Sequence, residues 1–573
     1  MSLPVHRSKD HSVAGVLVCG LMLASLGYSQ AAPPPASSSA KPSSEEGIPV
    51  TDALVIAKCG TCHASDSRSS MDRISGLRLT PEGWQDVVKR AIVLNGASLN
   101  AGEARAVLKY LSTNHGLAPE EAKPFLYEPE RRVQDETQLG NDNLRKACAK
   151  CHGLARAFSS RRSREEWQKL ENLHVTRYQA DRNDAAIDDL AKALPLRTPE
   201  WTAWTARTRT PTLTGRWLVK ATVPGRGNYY GEMEVQPGGS DREFRTRVKL
   251  RSVRDGSTVI RSGLNVVYAG YAWRGRSQGM NPPGPNAAAD DLGSEAREVL
   301  WISPDQSHAE GRWFWGQYQE FGFDVTLQRA SSDLTVIGVE SAWLKTGSQG
   351  NQIRLIGDNF PAEVAPADLN LGPGVTVKRI LSHSAIEVLA EVDVRANARP
   401  GRRDIVFRRF TLPGAAAVYD RIDYLKVTPE SCLAAFGDQT RPRGYQQFVA
   451  IGYQRGADGK RHTGDDVELG PIDVTWSLKV FYSLEGASSD FVGTMSPTGL
   501  FTPADKNPNS NFDVWVIATA TTEKENGEPL VGKSYMVVTV PFYTFKGRRY
   551  VRDLDHWIDD GPATPSARKE DSK

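Results

Sequence analysis

Two short runs carry residue types and spacings suited to chemistry: Cys59-Gly-Thr-Cys62-His63 and Cys148-Ala-Lys-Cys151-His152. Each is a C-x-x-C-H, the pattern by which a c-type haem is attached. Two cysteines three positions apart reach the two vinyl groups of one porphyrin and hold it by thioether bonds. The histidine that follows meets the iron from the same side. A redox dithiol or half of a zinc site also uses C-x-x-C, and the two pairs could supply one zinc site between them. A histidine directly after both pairs would then be coincidence. The doubled pattern predicts two covalent haem c groups on Cys59, Cys62, Cys148 and Cys151, with His63 and His152 on the irons, and one-electron transfer as their chemistry.

The elements that must hold these groups read as helices from Ile48 to about Leu196, and they repeat. The first attachment run is followed by Thr80-Pro81-Glu82-Gly83-Trp84 and the second by Ser163-Arg164-Glu165-Glu166-Trp167. Thr80 as N-cap with Pro81 after it starts one helix, and Ser163 with Glu166 reads as a capping box for the other. Trp84, Val87, Val88, Ala91 and Ile92 share one helical face, as do Trp167, Leu170 and His174. Each unit is therefore an attachment run plus a capped helix that packs back on the haem. His174 lies two turns beyond Trp167 and is the candidate second ligand of the second iron. The equivalent position in the first unit is Ala91, which cannot bind iron. Met71 and His115 are weaker candidates there, with a core methionine and a helix-end histidine as the plain alternatives, and a five-coordinate iron is the third possibility.

At 573 residues the chain has room for roughly three to five domains. Its net charge of +3 gives no argument for nucleic acid or an anionic membrane. Arg7 and Lys9, an apolar run from Val13 to Gly27, and Ser29-Gln30-Ala31 form an export signal over residues 1–31. Haem c is attached outside the bacterial cytoplasm, so signal and attachment runs agree on a periplasmic address. Cys19 leaves with the signal, and Cys432, then alone, is expected to be a buried thiol. Residues 32–47 are a Pro/Ser/Ala linker expected to be disordered.

Beyond Pro199 the pattern changes to short alternating apolar runs, such as Val248–Val253, Leu264–Tyr268 and Met536–Val540, broken by turn residues. The expected fold class is multidomain α plus all-β: a helical dihaem cytochrome c domain (48–200), then three antiparallel β-sandwich or barrel domains. These would span 201–330, 331–421 (Ig-like) and 422–546, with a charged C-terminal tail at 547–573. The Asp458–Asp466 loop is rich in oxygen ligands but lacks EF-hand spacing, so a turn is the simpler reading beside calcium. No nucleophile elbow, zinc-protease helix or phosphate loop occurs in the β half.

Several phrases together resemble the alpha subunit of quinohemoprotein amine dehydrogenase: Asp72-Arg-Ile-Ser75 with Thr80–Trp84, Tyr268–Gly275, Arg297–Leu300, Gly311–Phe314, Tyr419–Pro429 and Gly499–Pro503. The resemblance implies a periplasmic complex in which this chain is the haem-bearing electron-transfer subunit. A propeller-type beta subunit and a small gamma subunit would join it. The gamma subunit would carry cysteine tryptophylquinone, where a primary amine is oxidised. A soluble copper protein or cytochrome would accept the electrons, and this chain would contribute no catalytic residue to the amine chemistry. His174 keeps the family's second-haem position. The family's methionine ligand of the first haem falls at Ala91, and a histidine that often follows is Asn95 here. Loss of a thioether ligand lowers a haem potential and opens an iron face. A self-contained peroxidase-like dihaem enzyme and a non-enzymatic dihaem carrier or scaffold are the competing expectations.

Overall fold

The computed structural model describes residues 45–125, 142–148, 153–207, 210–240, 242–284, 286–438, 441–481, 489–505 and 510–540. The export signal, nearly all of the linker, Cys151, His152 and the C-terminal tail lie outside the described residues.

The first part contains α1 (Ala53–Cys59), β1 (Leu77–Leu79), α2 (Pro81–Asn95), α3 (Ala101–Asn114), the single turn α4 (Pro119–Ala122), α5 (Asp142–Cys148), the single turn α6 (Ala155–Phe158), β2 (Ser160–Arg162), α7 (Arg164–Tyr178), α8 (Asp184–Ala193) and α9 (Pro199–Thr205). The helix α9 runs across the boundary expected at 200. The starts follow side-chain chemistry. Thr80 accepts from the Gly83 N–H at 3.2 Å, and Asn100 and Glu103 form a complete capping box at α3. At α7 only half of the expected box forms. Ser163 accepts from the Glu166 N–H, but the Glu166 carboxylate turns to Arg73 and Lys169 instead.

The two repeats meet through β1 and β2, which pair antiparallel with Arg78 opposite Arg161. Each arginine stands two positions before its unit's N-cap, Thr80 or Ser163. Equivalent strands of the two repeats thus pair with each other, arginine opposite arginine. Two guanidinium groups in the interior need an anion, and Glu121 supplies it. It accepts from Arg78 Nη1 at 2.6 Å and Nη2 at 2.9 Å, and lies 3.2 Å from Arg161 Nε. Burial works against its charge, but hydrogen bonds and charge from Arg78, with Arg161 beside it, hold its pKa at about 2.

Eight strands then close an up-and-down antiparallel barrel: β3 (Gly215–Val223), β4 (Gly227–Pro237), β5 (Glu243–Ser252), β6 (Thr258–Tyr268), β7 (Ala272–Gly279), β8 (Ala296–Ile302), β9 (His308–Trp315) and β10 (Phe321–Arg329), with β10 pairing back on β3. Side chains alternate in and out. One register row crosses β5 to β10 as Phe244, Asn265, Gly275, Glu298, Trp313 and Phe323. Gly275 is required in that row, because a Cβ there would sit 1.6 Å from Asn265 Oδ1. The outer side of β7 and β8 is buried too. Arg274 and Arg297 both reach Glu82 in the first turn of α2, and Trp301 Nε1 donates to the Pro119 carbonyl at 2.9 Å. The helical part is thus seated on the barrel wall by a buried carboxylate with two arginines.

Two four-stranded sheets follow between Thr335 and Tyr419 and enclose a core of aliphatic side chains with Phe360 and Phe407. In the first sheet the strand Val375–His383 lies at an edge and has two register irregularities. A last set of sheets, of three, four and three strands, runs from Tyr424 to Thr539, with Cys432 buried among its core residues. Among the described residues no helix is long and apolar enough to cross a membrane.

Candidate haem sites

Cys59 ends α1, and the N–H groups of Cys62 and His63 both turn back to its carbonyl, at 3.1 and 2.9 Å. This tight turn sets Cys62 exposed and His63 half-buried just past the helix end. His63 Nδ1 lies 2.9 Å from the Asp72 carbonyl oxygen. A carbonyl only accepts, so Nδ1 carries the proton and Nε2 carries the lone pair that an iron requires.

In the second unit Cys148 ends α5, half-buried against the cluster that holds Trp167 and Leu170. His174 stands one turn beyond Leu170 on α7, half-buried, with Nδ1 2.8 Å from the Leu170 carbonyl. The same logic gives Nε2 the lone pair. Cys148, Trp167, Leu170 and His174 are therefore gathered along one side of α7. Cys151 and His152 lie outside the described residues.

Burial, with Cys62 nearby, pushes the Cys59 thiol up. Burial, with Glu171 nearby, does the same for Cys148. A redox dithiol needs the opposite shift, toward thiolate. Among the described residues no group of three or more His, Cys, Asp or Glu is arranged to hold a metal ion.

Two further observations fit a haem beside each attachment run. The last turns of α2 are apolar yet open: Val93 is 77% exposed and Leu94 63%, while Val87, Ile92, Leu99 and Cys59 are each partly buried against the core. A porphyrin face would cover such a surface. Where the units meet, Arg162 lies over the Trp167 ring at 5.2 Å, and its Nε is buried with no hydrogen-bond partner. Burial pushes its pKa down to about 10, with Glu166, Arg90 and Arg73 nearby. Such a cation suits a haem propionate. Sequence reasoning missed Arg162, because nothing in its neighbours signals burial.

Met71 is 1% exposed and packs in the core with Ile74, Val50 and Val55, and its N–H donates to Ser75 Oγ at 2.8 Å. His115 is fully buried at the end of α3, edge-on to Trp84 and beside Tyr110. Burial pushes its pKa down to about 4. Ala91 occupies on α2 the place that His174 occupies on α7, each eleven residues past its N-cap (80 + 11 and 163 + 11). The Asp458–Asp466 loop is a self-bonded turn. Asp466 accepts from Tyr424 Oη at 2.6 Å and from the Gly456 and Thr463 N–H groups, and Asp465 accepts from Thr463 Oγ1 at 2.8 Å.

Four family models match in succession, each describing a domain of the quinohemoprotein amine dehydrogenase alpha subunit. They are the haem-binding domain over 50–191, domain II over 210–330, domain III over 333–420 and domain IV over 425–548. No curated protein matches the chain. Among solved structures, a redesigned β-barrel is 18% identical, covering 22% of this chain and 96% of its own, with a TM-score of 0.17. Human mucin-like protocadherin EC1-2 is 12% identical over 37% of this chain and 98% of its own, at 0.15. The zebrafish RET cadherin-like domains are 12% identical over 61% and 68%, at 0.17. Scores this low carry no argument, whereas the family matches span all four parts of the described fold. This chain belongs to the quinohemoprotein amine dehydrogenase alpha-subunit family, and its first domain is that family's haem-binding domain.

Proposed function

We propose that this chain is the electron-transfer subunit of a periplasmic amine dehydrogenase. It would relay electrons from a tryptophan-derived quinone on a small gamma subunit through two c-type haems to a soluble copper protein or cytochrome. A propeller-type beta subunit completes the proposed complex. The family match over all four domains carries this reading. Bound haems supply reversible one-electron chemistry. The chain's own residues hold and orient them: Cys59 and Cys62 for the first haem, Cys148 and Cys151 for the second. His63 is the proposed ligand of the first iron, and His152 with His174 of the second.

Met71 does not suit the far side of the first haem. The carbonyl of its neighbour Asp72 stands behind His63, at the ring edge that points away from iron. His115 is locked in the core against Trp84. With Ala91 at the equivalent ligand position, none of the candidates among the described residues would supply a second ligand to the first iron. That observation favours one second reading, a self-contained haem enzyme of peroxidase type.

Purification of the native complex from the periplasm tests both. A small co-purifying chain, with the mass shifts of thioether cross-links and an oxidised tryptophan, is expected. A chain that emerges alone, with two haems and turnover of its own, would replace the first reading with the second.

A further inference from the structure

Asp72 faces two ways. Its backbone carbonyl takes the Nδ1 proton of His63 at 2.9 Å, and its carboxylate takes Lys169 Nζ at 3.0 Å. Lys169 belongs to α7, in the other haem unit, and is anchored there by Glu165 at 2.8 Å and Glu166 at 2.9 Å. The residue after Asp72, Arg73, has a left-handed backbone (φ +64°) and is held by its ion pair with the buried Glu166 at 3.2 Å. Such a backbone at a non-glycine residue persists only where surroundings impose it. The loop is also pressed onto α7. The Gly76 carbonyl accepts from the Ser163 N–H at 3.0 Å, and a Cβ on Gly76 would meet Glu166 Cγ at 2.8 Å.

We propose that Lys169, a residue of the second unit, is a positioning residue for the first haem: by holding Asp72 it keeps the Asp72 carbonyl in line with His63 Nδ1. This rests on the reading of His63 as an iron ligand. The hydrogen bond at the outer nitrogen of an axial histidine fixes its ring orientation and raises its basicity. A more basic ligand favours ferric iron and lowers the potential. The tie is poorly placed to matter for stability. The Asp72 side chain is 58% exposed, and exposed ion pairs contribute little. Its removal leaves the buried Glu166 its ion pair with Arg73, so the protein should stay folded and loaded.

The test uses the full chain matured with haem, as wild type, Lys169→Met, Lys169→Arg and the double variant Asp72→Asn/Lys169→Met. Mass spectrometry first counts the haems. A wild-type chain without haem on Cys59 and Cys62 sinks the reading of His63 itself, separately from the role of Lys169. Midpoint potentials and ferric electron paramagnetic resonance are then measured. In Lys169→Met and in the charge-neutral double variant, one of the two haem signals should shift and its midpoint rise, while Lys169→Arg stays near wild type. The proposal is overturned if the double variant returns to the wild-type spectrum, which would make the effect one of net charge. It is equally overturned if both haems move together or neither moves.

Discussion

Arg78 and Arg161 stand opposite each other at the centre of the β1–β2 pairing, and the single carboxylate of Glu121 serves both. The facing arginines at the junction of the two repeats therefore depend on one buried negative charge. Substitution of Glu121 by Gln should leave two guanidinium groups uncompensated and cost about 3 kcal/mol or more, read as a drop in the thermal midpoint of the haem-loaded chain.

The same group sets an acid limit. Its folded pKa of about 2 lies below the ordinary carboxylate value, so the stabilisation is complete above that ordinary value and lost as pH falls toward 2. Denaturation followed from pH 5 to pH 2 should show this loss in the wild type and a flatter profile in Glu121→Gln.

His115 acts over a higher window. The unfolded chain takes up its proton below about 6.5, whereas the buried ring resists until about 4. Stability should therefore be full above 6.5 and decline as pH falls to 4, by roughly 3 kcal/mol at most. Unfolding free energies of His115→Gln across that window should decline less.

On the proposed two-haem reading, exchange at equivalent positions should change ligation of the two irons in opposite ways. Ala91→Met places a thioether at the α2 position that His174 holds on α7, and should abolish carbon monoxide binding at the first haem. Replacement of His174 by Ala should create such binding at the second. Difference spectra of the reduced protein with and without carbon monoxide give both answers.

Glu82 joins α2 to the barrel through Arg274 and Arg297. Glu82→Ala should loosen that seam, with faster amide exchange confined to α2 and to β7 and β8.

The sequence made local chemistry legible. The cysteine–histidine spacing, the caps at Thr80 and Ser163 and the place of His174 all depend on residues within a few turns of one another. What stayed hidden is long-range. The Arg78–Glu121 and Glu82–Arg274 contacts link residues 43 and 192 positions apart. Closure of β10 on β3 rests on register and not on composition. The capping box failed at Glu166 for the same reason, since Arg73 from the other unit claims its carboxylate. The helical pattern, read to about Leu196, stopped short of α9, because a proline suits a first turn as well as a break.

The closed barrel has a consequence for how copies or partners can join this chain. A barrel offers no unpaired row of N–H and C=O groups, so it cannot be extended by a foreign strand. Among the open sheet edges beyond the barrel, the one at Val375–His383 is blunted by two register irregularities and carries the cations Lys378 and Arg379. Assembly through the barrel must then proceed by side chains meeting side chains, which keeps a β-rich chain of this size from polymerising through its backbone there.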